Sequence, residues 1–296
     1  MTRVAVLGTS RAAAQVGSEY ALGGCSVLWC SDDEGAAQRV EEALRFAAAH
    51  GLADPPDLER ARSLMMRGNA TISSVERLTL IVDAQSGPLE HRAATLAPVA
   101  ARHPEALVAT TALVPSPTEL AEAAEVGERM VATRYGDPPL LCPVVELLAA
   151  RDTPRRLLDR VSQLLRALGK RPVALRREVP GLVSARLELA LLREASWLLE
   201  RGVVEAEELD ELVRDSLARR WALAGPVESG AIDSREELAQ IAGAGADSRA
   251  LQSLAALAQE IEPEHAGALR ERRDDGLAAA LRAGRAAAER STGEDG

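Results

Sequence analysis

Val4-Ala-Val-Leu-Gly8-Thr-Ser-Arg-Ala-Ala13 lies almost at the start of the chain, and its reading decides the fold. Val4–Leu7 is an apolar, partly β-branched run that stops at a glycine, as a strand buried on both faces does. The alanine-rich stretch from Ala12 to about Leu22 reads as a helix, and Gly23-Gly24 closes it. Ser26–Cys30 is a second apolar run, bounded by Ser31-Asp32-Asp33. Strand, helix and strand within thirty residues form the opening of a doubly wound sheet.

The alternation continues outward from that unit. Helices are expected over Glu34–Ala49, Leu89–Arg102, Thr118–Ala124 and Thr153–Leu168. Further strands are expected over Leu78–Val82, Ala106–Ala109, Arg129–Thr133, Val144–Leu148 and Arg171–Leu175. Residues 52–77 yield no element. After Val179-Pro-Gly181 apolar residues recur every three or four positions and no strand stands out. Helices are expected over Leu182–Arg201, Ala206–Ala218, 234–258 and 260–290. The fold class is an α/β Rossmann-like domain with a mostly parallel, doubly wound sheet over residues 1–177. An all-α domain follows over 178–296, with Ser291–Gly296 as a frayed tail.

Bulk composition narrows the function. Aromatic residues make up 2% of the 296 residues, so the core is built from Ala, Leu and Val. The net charge of −10, without a long basic run, argues against nucleic acid as a partner. The first residues run straight into a strand, without the apolar stretch of a signal peptide. No uncharged run reaches the length of about 20 residues that spans a membrane. Cys25, Cys30 and Cys142 lack metal-ligand or CxxC spacing and are expected to be reduced packing residues of a cytoplasmic protein. No other cluster of His, Cys or carboxylates has metal spacing, so no metal is expected.

The chain resembles the 3-hydroxyacyl-CoA dehydrogenase family, including its carnitine dehydrogenase and lambda-crystallin branch. The residues that carry the likeness are spread along it: Val4-Ala-Val-Leu-Gly8, Ala109-Thr-Thr111 with Pro117-Thr-Glu-Leu120, Asp137-Pro-Pro139 with Pro143-Val-Val-Glu146, Ala167-Leu-Gly-Lys170, Val179-Pro-Gly181, Arg220-Trp-Ala-Leu-Ala-Gly-Pro226 and Arg272-Arg-Asp-Asp-Gly276. The resemblance implies NAD or NADP as cofactor and an acyl or acyl-thioester-like small molecule as ligand. It also implies a homodimer formed through the helical domain.

A dinucleotide turn uses three glycines: one for the tight turn, one for close approach of the pyrophosphate, and one for helix-on-strand packing. Gly8 fills the first place, Ser10 the second and Ala13 the third. The position that resembles the family's ribose-binding acid is Ser31, with Asp32 beside it, and no arginine adjoins it in sequence. Arg11 in the turn, Arg92 at the place of a family lysine, and Thr111 complete the candidate cofactor residues.

The resemblance also implies a histidine base oriented by a glutamate, with a serine and an asparagine holding the substrate oxygen. Arg134 stands at the histidine position, Leu113 at the serine position and Ala185 at the asparagine position, while Glu146 keeps the glutamate. An arginine stays protonated and cannot serve as base. An Arg134–Glu146 ion pair is the expected substitute. Tyr135 and Asp137 are the other candidates for lining the cleft between the domains. His50, His91, His103 and His265 are assigned surface or capping roles. The resulting expectation is a relative that has lost the standard redox chemistry and binds or transforms an acyl or polyketide-like metabolite. Two alternatives stand beside it: an active NAD(P)-dependent oxidoreductase with an atypical site, and a non-enzymatic structural or partner-binding protein.

Overall fold

The computed structural model describes residues 2–31, 33, 35–68, 77–112, 114–232 and 262–293. Residues 1–190 and 191–296 form two compact units.

The first unit is built on strands β1 (Arg3–Leu7), β2 (Ser26–Cys30), β3 (Met65–Gly68), β4 (Leu80–Asp83), β5 (Leu107–Thr110), β6 (Met130–Tyr135), β7 (Val144–Ala149) and β8 (Arg171–Ala174). They lie in the order β3-β2-β1-β4-β5-β6-β7-β8. All neighbours run parallel except β6 and β7, which pair antiparallel with Arg134 opposite Glu146. Strand order reverses between β1 and β4, and α/β sheets bind their ligands outside the carboxyl ends of the strands at such a point.

Successive side chains of a strand face opposite sides of the sheet. Val4, Val6, Val82 and Tyr135 therefore join one core with helices α1 (Arg11–Leu22), α2 (Ala36–Ala49), α3 (Pro55–Leu64) and α6 (Arg155–Ala167). Ala5, Leu7, Ile81 and Met130 join the opposite core with α4 (Leu89–Arg102) and α5 (Pro117–Ala123). Ala132 and Leu148 continue that second face, where the cover is Leu182 from the segment after β8.

Most boundaries match the expected ones. The exception in the first unit is residues 52–77, which hold α3 and β3. Asp54 caps α3 by accepting from the Asp57 amide, and Pro55-Pro56 fill its first positions, so a start signal was present. β3 (Met-Met-Arg-Gly) has no β-branched residue and no alternation to reveal it.

The second unit contains α7 (Ser184–Glu200, which begins in the first unit), α8 (Ala206–Leu212), α9 (Ala218–Trp221), α10 (Pro226–Ile232) and α11 (Pro263–Gly293). A π-helical turn at Val213–Leu217 separates α8 from α9, where one uninterrupted helix was expected. The expected helix over 234–258 lies outside the described residues.

One buried ion pair ties the first unit together. Lys170, just before β8, meets Glu19 of α1 at 2.7 Å, with both side chains almost fully buried. Its ammonium also donates to the carbonyls of Pro139 and Cys142 in the β6–β7 loop. Removing one partner of a buried pair leaves the other charge uncompensated and costs about 3–5 kcal/mol. Lys170→Met is therefore expected to lower the unfolding free energy by about that amount in urea denaturation. Adding Glu19→Gln should recover part of the loss, because the stranded carboxylate is then neutral.

Candidate functional site

The carboxyl edge at the β1/β4 reversal holds a cavity of about 240 Å3, with Gly8, Thr9, Ser31, Asp33, Gln85 and His91 among its walls. His91, expected only to flank a helix, opens onto this space. Gly8 has φ of +148°, and a Cβ there would stand 2.4 Å from the Ala84 carbonyl oxygen. The turn that sends the chain from β1 into α1 thus requires glycine.

Ser10 has a definite task. Its hydroxyl accepts from the Ala13 amide at 3.1 Å and caps α1. An anion bound at a helix N-terminus relies on these first-turn amides. The Ser10 side chain has taken one of them, leaving those of Arg11 and Ala12. Ala13 is buried against the turn, as the third position demands. The Arg11 guanidinium is exposed and lies 5.7 Å from the centroid of the Phe46 ring.

Ser31 ends β2 with its hydroxyl accepting from the Asp33 amide at 3.1 Å. The Asp33 carboxylate accepts from the Gly35 amide at 2.8 Å and from Arg39 at 2.9 Å. These bonds, the Gly35 amide first, hold its carboxyl below the usual carboxylate range. Arg67 reaches over from β3 to donate to the Asp33 carbonyl at 3.0 Å. No arginine adjoins Ser31 in sequence, but in the fold two come close to it. The arginines come from β3 and α2, and adjacency across a parallel sheet is invisible to a search of sequence neighbours. Asp32 lies outside the described residues.

Two other cofactor candidates are placed away from solvent. Arg92 is fully buried: its guanidinium forms an ion pair with Asp83, donates to the Thr110 hydroxyl at 2.7 Å and to the Val114 carbonyl at 3.2 Å. It locks β4, β5 and α4 together beneath the edge. Thr111 is half-buried and donates its amide to the Asp83 carbonyl at 2.9 Å. The residues that fit a dinucleotide are thus the Gly8 turn, the open amides of α1, and Ser31 with Asp33 at the ribose end.

At the catalytic positions, Glu146 is almost fully buried. Its carboxylate accepts from the amides of Val183 at 2.8 Å and Ser184 at 3.0 Å, and from the Ser184 hydroxyl. It therefore caps the start of α7. The expected Arg134–Glu146 ion pair is not formed, although the two residues face each other across the β6–β7 ladder; the carboxylate is turned instead to three donors at the start of α7. Arg134 is half-buried, its Nε is buried without a partner, and its guanidinium makes no ion pair or hydrogen bond among the described residues.

Tyr135 points to the other face of the sheet. Its hydroxyl donates to that of Tyr20 at 3.3 Å inside the α1 core. Burial pushes Tyr20 up to about 12 and Tyr135 well above the ordinary phenol range. Such phenols release no proton near neutral pH, which removes Tyr135 from the cleft candidates. Asp137 is exposed in the β6–β7 loop. Ala185, half-buried in the first turn of α7, follows the Ser184 that Glu146 holds. Leu113 lies outside the described residues. Among those residues no group of His, Cys, Asp and Glu could hold a metal ion, and the three cysteines are free.

Ser10→Gly is expected to return the Ala13 amide to the anion site while costing a few tenths of a kcal/mol in capping. Titrating NADH by fluorescence should show severalfold tighter binding with an almost unchanged Tm. Gly8→Ala should abolish the same signal. Unaltered affinity in Ser10→Gly would count against the capping argument.

The sequence matches the model for the 3-hydroxyacyl-CoA dehydrogenase NAD binding domain over residues 3–179. It matches the model for the C-terminal domain of the same dehydrogenase over residues 181–272. It is 36% identical over 119 residues to a 3-hydroxyacyl-CoA dehydrogenase of Gibberella moniliformis, covering 40% of this chain and 37% of that protein. It is 38% identical over 100 residues to 5-formyl-3-hydroxy-2-methylpyridine 4-carboxylate 5-dehydrogenase of Mesorhizobium japonicum, covering 34% and 32%. The chain thus spans about a third of the length of these curated relatives. The crystal structure of a 3-hydroxyacyl-CoA dehydrogenase from Archaeoglobus fulgidus superposes with a TM-score of 0.68 at 22% identity over 86% of both chains, a likeness of fold. With matches to both domain models covering most of its length, the chain belongs to the 3-hydroxyacyl-CoA dehydrogenase family.

Proposed function

We propose that this chain binds a nicotinamide dinucleotide along the Gly8 turn and Ser31, and handles a small acyl-type metabolite at the carboxyl edge of its sheet without the general-base dehydrogenation of its family. One observation carries the reading. At the place where the resemblance sets a histidine base stands Arg134, and the Glu146 carboxylate is bonded to the start of α7. A positioned general base contributes roughly 10²–10⁴ in rate. Neither a permanently protonated guanidinium nor the deeply buried Tyr135 supplies one.

The nucleotide half of the reading is supported by the glycine cradle, the cavity beside it and the matched NAD binding domain. When bound, the dinucleotide would exchange hydride with a ligand; the chain's own part is to hold it by the open amides of α1 and by Ser31 with Asp33. Arg39 and Arg67 beside Ser31 make NADPH a necessary partner in any comparison with NADH.

The purified chain is expected to bind NADH or NADPH, and to oxidise 3-hydroxybutyryl-CoA at least about 10²-fold more slowly than a base-containing dehydrogenase. Turnover at an ordinary dehydrogenase rate, rising with the titration of one group near neutral pH, would refute the loss of the base. Binding of neither nucleotide at millimolar concentration would remove the cofactor half and favour a purely structural or partner-binding role.

We also propose a homodimer through the helices. Among the described residues α7 buries no side chain, and Leu187, Leu192 and Trp197 are 59%, 55% and 47% exposed. Apolar area of that extent on one helix marks an interaction face. Sedimentation equilibrium is expected to give twice the chain mass, and Leu192→Glu to shift it toward the monomer. A wild-type monomer at micromolar concentration contradicts this arrangement.

A further inference from the structure

Arg134 is the second-last residue of β6, on the carboxyl edge of the sheet where ligands collect. β6 lies two strands from β4, so Arg134 is roughly 10 Å across the sheet from the strand-order reversal. Its side chain shares a face with Ala132 and, across the ladder, with Glu146; on that face Ala132, Leu148 and Leu182 form one small apolar cluster. A half-buried cation there has lost water without gaining a bonded partner among the described residues, since Nε is buried without one and the Glu146 carboxylate across the ladder is bonded to the start of α7. An unpaired, partly desolvated charge is costly, and a group that brings the opposite charge is strongly favoured there.

The geometry of the guanidinium selects among anions. Its fork of N–H donors matches two coplanar oxygens, and a carboxylate presents these. A neutral ester or thioester carbonyl offers one oxygen and no charge.

We propose that Arg134 is the anchor for a carboxylate ligand, so that this site takes small aliphatic carboxylates in free-acid form. This deepens the functional reading above and rests on its placing of the ligand at the carboxyl edge. The replacement of the base thus changes what the site recognises as well as what it catalyses. Glu146, by turning to α7, keeps the guanidinium available.

The test uses the full chain with malonate, succinate and acetoacetate as probes, and methyl acetoacetate as the neutral control, measured by calorimetric titration. At least one carboxylate should bind, and acetoacetate at least tenfold more tightly than its methyl ester. Arg134→Met should weaken carboxylate binding by roughly ten- to a hundredfold, the range set by hydrogen bonds to a charged group. Arg134→Lys should restore part of it through charge alone. Both variants should keep the wild-type NADH titration and Tm, which separates loss of the anchor from loss of the fold. Equal binding of acetoacetate and its ester overturns the proposal, as does no carboxylate binding below 10 mM or an Arg134→Met chain that binds as the wild type. Loss of NADH binding with carboxylate binding intact would instead defeat the nucleotide reading and leave the anchor standing.

Discussion

The Glu146 carboxylate is committed to holding the start of α7. Two amides and a hydroxyl at the start of α7 occupy its oxygens. Charge-assisted bonds of this kind are strong, and a negative charge is also well placed against a helix N-terminus. The antiparallel ladder at the far side of the sheet is joined to α7 through that one side chain. With its oxygens turned to α7, it forms no ion pair with Arg134 opposite it in the ladder. What sequence comparison counts as a retained catalytic residue is therefore retained in position and reassigned in work.

A second buried charge, Arg92, makes the complementary point. The resemblance sets it at the place of a family lysine. In the fold it lies beneath the edge, paired with Asp83 and bonded to Thr110. Breaking such a network is expensive, whereas its formation adds little net stability over well-packed apolar residues. Its contribution is to hold the ends of β4 and β5 in register just where strand order reverses. The charge at that place thus gives rigidity under the edge.

The fold was legible because its strands are buried on both faces and written in Val, Leu, Ile and Ala. β2 and α4 were bounded correctly from such runs and their flanking breakers. The segment holding α3 and β3 was missed because an edge strand of Met-Met-Arg-Gly carries neither alternation nor β-branching. That omission also hid Arg67, which enters the site from β3. Tyr135 was misplaced for a simpler reason: adjacent residues of one strand cannot both face a cleft, and Arg134 and Tyr135 are adjacent. The unmade Arg134–Glu146 pair was a fair inference from spacing, since the two are opposite in the ladder. Only the three-dimensional position of residues 183 and 184 reveals the competitor. Asp83 could have been noticed as an acid at the end of a buried strand.

Ser10 has one further consequence. Because its hydroxyl accepts from the Ala13 amide from within the chain, one donor of the first turn of α1 is satisfied before any nucleotide arrives. Most dinucleotide sites leave this need to be met by the ligand, so the loaded and empty states differ in order. Here the empty state already satisfies the Ala13 amide and leaves those of Arg11 and Ala12 for a ligand. A nucleotide that enters must compete with a tethered group at very high local concentration and adds correspondingly little to the stability of the domain. The scaffold thus supplies for itself one bond that a ligand would otherwise bring to the turn.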